Sequence, residues 1–231
     1  MGSSGPGSVS GWRAMVRGEA PSLDDPAAWL PVVIRCGDVV LRTPTPAEVE
    51  ALADAVRAGG LDDAATRRGL GPWAQGARDE VARNTAEHLA AGVEALSRPS
   101  PIDDDWVLPR VVFLDGRPVG RQDADIVATA DGWIARTGSW LLNTHRGRGV
   151  GTSARTALLA AVFSAGAHRA ETSWTAGNLA SERVSLRLGH VIDRRGPIPW
   201  PDGTEVEGVH AHLDPDDFRP AEPVVIEHTA P

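Results

Sequence analysis

The sequence predicts a single α/β domain: a central, mixed and mostly antiparallel sheet with helices on both faces. Three observations carry this. Asp115-Gly116 and Asp131-Gly132 each separate two apolar runs, the strongest short hairpin signal, so the strands around them should form a meander. The stretch Gly138-Ser-Trp-Leu-Leu-Asn-Thr-His-Arg-Gly-Arg-Gly-Val-Gly-Thr152 enters a turn with glycines at 147, 149 and 151. Beyond it, Leu158, Leu159, Val162 and Phe163 recur at helical spacing, giving strand, glycine-rich loop, helix. The 231 residues are ample for a sizeable core, and with no internal repeat one domain is the economical division.

In chain order, residues 1–31 are rich in Gly, Ser and Pro and are expected to form a flexible N-terminal arm carrying Trp12 and Trp29. The domain is expected over 32–218, with 219–231 as a C-terminal tail. A short strand over Asp38–Thr43 precedes Thr45-Pro46-Ala-Glu48, a capping box with proline at the first helical position. Val49, Leu52, Ala53 and Val56 supply that helix's apolar face, and Gly59-Gly60 ends it. Residues 61–78, including Trp73, show no clean period, and a helix follows from Arg78 to Leu96. Strands are expected over Trp106–Leu114, Pro118–Ala128, Trp133–Leu142 and, after the loop and its helix, Arg169–Thr175. A helix over Asn178–Leu188 stops at Gly189, followed by a strand at His190–Asp193 and a last hairpin strand at Glu205–Leu213.

Composition narrows the function. The formal net charge is −8, no lysine occurs, and no basic patch stands out beyond the glycine-rich loop, which disfavours nucleic-acid binding. Cys36 is the single cysteine, so neither an intrachain disulfide nor a Cys-based metal cluster is expected. His210 and His212 share a strand face, yet no third ligand is evident, and no metal is predicted. No apolar run is long enough to span a bilayer, and the N-terminus lacks a signal-peptide pattern; a cytoplasmic location is expected.

The loop itself suggests chemistry. Backbone N–H groups at a helix N-terminus, with Arg146 and Arg148 beside them, suit an anion, most naturally a pyrophosphate. A P-loop requires a lysine that this chain lacks, and a dinucleotide fingerprint would put glycine where Thr152 stands. The pattern that fits is [QR]-x-x-G-x-[GA], here Arg146-Gly-Arg-Gly149-Val-Gly151. It resembles the pyrophosphate loop of the GNAT superfamily of acyl-CoA-dependent N-acetyltransferases. Further on, Asn178-Leu-Ala-Ser181-Glu-Arg-Val184-Ser-Leu-Arg-Leu188-Gly189-His resembles N-x-x-S-x-x-[VLA]-x-x-x-[LM]-G-[FYH]. That element is typical of the ribosomal-protein N-terminal acetyltransferase (RimJ/RimL-type) branch. The resemblance covers about 38–218 and is specific from Gly138 to Val191.

The resemblance implies acyl-CoA in a V-shaped cleft between the strands ending at Leu142 and near Thr175, with acetyl-CoA as acyl donor. Backbone groups of Trp140, Leu141 and Leu142 would pair with the pantetheine arm. Arg146, Gly147, Arg148, Gly149, Val150, Gly151 and Thr152 would hold the pyrophosphate. Asn178 is read both as a helix N-cap and as a pantetheine neighbour. Direct attack by an amine on the thioester is implied, with the protein supplying proximity, a base and a donor to the leaving thiolate. Many members use tyrosine as donor; this chain has none, and Ser181 stands at the branch's serine position. No acid lies on the strand before the loop, so Glu171, Asp123 and Asp125 are the candidate bases. The acceptor is expected to be a primary amine, of a small molecule or a protein N-terminus, its specificity set within 61–78. A homodimer through the arm or the last hairpin is compatible with the sequence. A longer acyl donor, a hydroxyl acceptor, or acyl-CoA binding without turnover stay open.

Overall fold

A computed structural model describes residues 11–63, 69–70, 74–97, 105–199 and 203–229. Trp73 and most of 64–73, expected to shape acceptor specificity, lie outside the described residues.

The strands are β1 (Val16–Arg17), β2 (Val32–Cys36), β3 (Val39–Arg42), β4 (Trp106–Leu108), β5 (Val111–Leu114), β6 (Arg117–Thr129), β7 (Gly132–Leu141), β8 (Arg169–Thr175), β9 (Val191–Pro199), β10 (Glu205–Leu213) and β11 (Val224–His228). They form one sheet in the order β1-β11-β2-β3-β5-β6-β7-β8-β10-β9, with β4 also pairing β6. Only β7·β8 and β1·β11 are parallel. The expected meander is present: Asp115 (φ 51°) and Gly116 (φ 72°) turn β5 into β6, and Asp131-Gly132 turns β6 into β7.

Trp106–Leu114 was expected as one strand, but it divides at Pro109-Arg110. Proline has no N–H for the ladder, and the Arg110 carbonyl instead accepts from Gln122 N at 2.9 Å. A bulge on β6 then sets Phe113 opposite Pro118 and Val112 opposite Gly120. The bulged Val119 carbonyl accepts the Leu142 N–H at 2.9 Å, which fixes the exit of β7 into the glycine-rich loop. Gly120 is required there, since a Cβ would stand 2.2 Å from the Trp140 carbonyl oxygen.

Among the described residues, four α-helices of eight or more residues cover the sheet. On one face lie α1 (Pro46–Ala55) and α2 (Arg78–Leu96), packed with Trp140, Val111 and Phe113. The capping box at Thr45 forms as expected, and the Arg42 guanidinium holds Glu48 down to about 2. On the other face α3 (Val150–Ser164) is buried along nearly its whole length, joined by α4 (Leu179–Arg187).

The described parts of the two terminal segments, 11–31 and 219–229, are more ordered than their composition suggests. Trp12 is buried against Phe163 and Phe218, with ring centroids at 6.1 and 5.5 Å. Trp29 is held by Arg110, which is fully buried and donates to the Trp29 and Thr43 oxygens at 2.5 and 2.6 Å. Residues 219–231, expected as a tail, contribute β11, which fills the space between β1 and β2 with Val224 and Ile226 buried. Five residues of alternating pattern are too short to announce a strand when the partner strand is remote in sequence. β2 escaped notice for the same reason.

Ending the chain at Pro220 strips β2 of its neighbour and removes two buried aliphatic side chains. At about 2 kcal/mol each, the melting temperature should fall on the order of 10 °C, read by thermal denaturation of the truncated and full chains.

Candidate functional site

β7 and β8 pair in register only from Ile134↔Arg169 to Thr137↔Thr172. Beyond that point they diverge: Gly138–Leu141 stays paired with β6 and Ser173–Thr175 with β10. The last rung is closed by side chains. Thr137 Oγ1 donates to the Glu171 carbonyl at 3.3 Å, and Thr172 Oγ1 donates to the Thr137 carbonyl at 3.2 Å. The Gln122 amide donates to the Gly138 carbonyl at 3.1 Å. Side chains thus satisfy three carbonyls where the ladder stops, those of Thr137, Gly138 and Glu171.

The opening leads into a cavity of about 340 Å³ whose far end is the glycine-rich loop. Gly149 (φ 86°) stands at the N-cap of α3 in the left-handed region, where an alanine would be strained, and Gly147 (φ 68°) shares that conformation. The N–H groups of Val150 and Gly151 precede the first intrahelical bonds and add a partial positive charge at the loop. Arg146 is partly buried beside them and donates from Nε to the Leu141 carbonyl at 3.1 Å.

The structure gathers most of the expected ligand residues. Trp140, Leu141, Arg146, Gly147, Gly149, Gly151, Thr152, Asn178 and Ser181 all line this cavity. Leu142 and Arg148 instead line a neighbouring cleft with Arg117 and His145, and the Val150 side chain turns into the core. Asn178 caps α4, its amide oxygen accepting from Ser181 N at 3.2 Å, while its amino group points to Gly69 O at 3.4 Å.

The candidate bases are placed differently. Glu171 is outside the cavity lining, in an ion pair with Arg136 at 3.0 Å. Asp123, which is also outside that lining, is buried on the α1/α2 face, opposite Gly138 in register. Its Oδ2 lies 3.0 Å from Arg121 and 3.7 Å from His88 of α2, while its buried Oδ1 has no partner among the described residues. Asp125 follows on the same face, more exposed and opposite Arg136. His210 and His212 are each engaged, with the Pro197 carbonyl and with Asp193.

Several cavity residues gave no sequence signal. Gln122 and Ser139 sit on strands as ordinary alternating polar positions. Arg155 interrupts the apolar face of α3 and is 3% exposed, with Nη1 donating to Ser185 Oγ at 2.8 Å and Nη2 to Ser139 Oγ at 2.9 Å. Burial pulls it down to about 10, which leaves it charged at neutral pH. A buried polar residue at a helical core position can be noticed in a sequence; where its head goes cannot.

Comparison with known proteins agrees with this geometry. The family model described as acetyltransferase (GNAT) domain matches residues 38–191. Among solved structures, RimL, a ribosomal L7/L12 α-N-protein acetyltransferase in complex with coenzyme A, superposes with a TM-score of 0.62 at 18% identity, covering 80% of this chain and 99% of that one. RimJ of Mycobacterium smegmatis in complex with CoA-disulfide gives 0.63 at 18% identity, covering 82% and 90%. The microcin C7 self-immunity acetyltransferase MccE, in complex with acetyl-CoA and AMP, gives 0.60 at 12% identity, covering 77% and 93%. At these identities the likeness speaks for the fold.

His190 underlies the cavity floor, buried between α4 and Arg155, with Nδ1 at 3.1 Å from the Ser185 carbonyl. Desolvation first, and the Arg155 charge second, pull its imidazole down to about 4. The unfolded chain therefore binds a proton that the folded one refuses as pH falls from about 6.5 to 4, and stability is lost through that window. We expect His190→Gln to flatten this acid limb of stability, measured by urea denaturation at a series of pH values.

Proposed function

The chain belongs to the acetyltransferase (GNAT) family, and from that premise we propose that it moves an acetyl group from acetyl-CoA to a primary amine, of a small molecule or a protein N-terminus. The observation that carries this reading is the fork between β7 and β8 opening onto the same cavity as the glycine-rich loop. An extended pantetheine arm needs a strand edge to pair with, and its pyrophosphate needs N–H donors and positive charge at one end. The diverging edges of β7 and β8 and the start of α3 support this reading.

In this reading the N–H groups of Arg148 to Thr152 and the Arg146 guanidinium hold the pyrophosphate. Trp140 to Leu142 align the pantetheine arm, and Asn178 stands beside it. The thioester supplies an activated acyl group once bound. Ser181, in the first turn of α4 and on the cavity wall, donates a hydrogen bond towards the leaving sulfur. The amine approaches from the α1/α2 face, where Asp123 is the carboxylate nearest the fork and accepts the ammonium proton, directly or through His88. Glu171 is committed to Arg136 and is the weaker candidate for that role. Among the described residues no helix is long and apolar enough to cross a membrane. We place the reaction in the cytoplasm, where acyl-CoA is available. The β9–β10 hairpin at the sheet's end, beside exposed Val191 and Leu186, is the surface we assign to a homodimer.

Calorimetric titration tests the donor site. Acetyl-CoA should bind the wild-type chain, and Arg146→Ala should weaken it about tenfold, the loss of one charge-assisted contact. No binding of any CoA thioester would overturn the reading. For Ser181→Ala, thiol release over a panel of primary amines and N-terminal peptides should drop on the order of 100-fold with affinity for acetyl-CoA retained. Unchanged turnover would remove Ser181 from the mechanism.

A further inference from the structure

A buried guanidinium without a carboxylate is unusual, because removing a charge from water is costly unless an anion repays it. Arg155 is such a group: among the described residues it has two serine hydroxyls as acceptors and no acid, and its buried Nε has no partner. It also lines the cavity. Three further buried polar atoms of that lining are unpartnered among the described residues, the Trp174 indole Nε1, the Gln122 Oε1 and, on the α1/α2 face, the Arg121 Nε. Of the arginines lining the cavity, Arg155 is the buried one held at Ser139 without a carboxylate, so it offers a positive charge where a short neutral acyl group would need only apolar contact.

Position decides which anion belongs there. Strand alternation puts Ser139 and Arg155 on the α3 face of the fork, while Trp140, Asp123 and α2 occupy the opposite face. The loop at the start of α3 already accounts for a pyrophosphate, and Arg155 lies five residues further into that helix, about 7.5 Å along its axis. A donor arm aligned on Trp140 to Leu142 brings its acyl end to the level of Gly138 and Ser139, where the Arg155 head is anchored. The free anion nearest Arg155 is then on the acyl chain.

Resting on the donor site assigned above, we propose that Arg155 makes the cavity a binding site for acyl-CoA donors whose acyl chain ends in a carboxylate, such as a succinyl group, in addition to acetyl-CoA. Transfer would join the amine nitrogen to the acyl carbon as the C–S bond breaks. Of the ammonium's protons one stays on nitrogen, one leaves with the thiol and one passes to the base. The product carries a carboxylate where the acceptor carried a cation.

The test is calorimetric titration of the full chain with acetyl-CoA, succinyl-CoA and butyryl-CoA, the last two matched in carbon count. Wild type should bind succinyl-CoA at least tenfold more tightly than butyryl-CoA. Arg155→Met should abolish that difference while leaving acetyl-CoA within about twofold. Equal affinity for the two four-carbon donors overturns the proposal, and this comparison needs no variant, so it decides even where Arg155→Met fails to fold. A parallel loss for all three donors in Arg155→Met assigns the residue to structure alone and overturns it too. Failure of every donor, acetyl-CoA included, instead refutes the donor site on which the proposal rests.

Discussion

Two threonine hydroxyls stand where a parallel ladder would otherwise run on. A β-sheet is cooperative because each strand satisfies its neighbour's backbone, so stopping one pairing midway while both strands continue leaves polar groups exposed. Thr137 and Thr172 cap the last rung reciprocally, and Gln122 takes the Gly138 carbonyl. The outer strands hold the two arms apart, β6 on one side and β10 on the other. Everything the site does follows from this fork. The cavity lies in it, the loop closes its far end, and the two faces of the sheet meet through it.

The loop depends on the fork through the backbone. The bulge on β6 presents the Val119 carbonyl to the Leu142 N–H, and the Arg146 side chain returns to the Leu141 carbonyl, so the chain leaves β7 along one fixed path. Left-handed glycines at 147 and 149 then swing it into α3 with the first N–H groups facing the cavity. Rigid support behind a polar loop is what allows dipole, charge and donors to be in place before a ligand arrives. The apolar length of α3 supplies that support, since it is buried against both the central strands and the terminal segments.

Polarity is distributed unevenly between the two faces. The α1/α2 face carries the Arg121–Asp123 ion pair near the fork, with half-exposed His88 beside it. The α3/α4 face carries Arg155, Ser139, Ser185 and a neutral His190, all drawn inward. A desolvated cation on the second interacts strongly with any anion brought to it, because little solvent screens the pair.

Much of this was written locally in the chain. The Asp-Gly hairpins, the capping box at Thr45, the helix at Arg78–Leu96 and the loop with its helix are each specified by residues within one turn or one strand of each other, and those elements stand where they were expected. The loop's glycines and Arg146, which line the cavity, were legible for the same reason, as was Asn178 at the start of α4. What depended on distant partners was not legible. Val224–His228 becomes a strand because β1 and β2 leave a slot for it, Trp12 is ordered by Phe163 and Phe218, and Arg110 is buried because the Trp29 carbonyl meets it from across the domain. Glu171 and Asp123 were both expected near the cleft; both lie outside the cavity lining, each paired with an arginine, Arg136 and Arg121, and partners across strands decided that. Arg155 shows the limit most plainly: its neighbours in sequence call for a core residue, while Ser139, Ser185 and an open fork gave its charge a place. Local sequence fixes conformation through short-range sterics and hydrogen bonds; burial of charge is fixed by groups that meet only when the sheet closes around them.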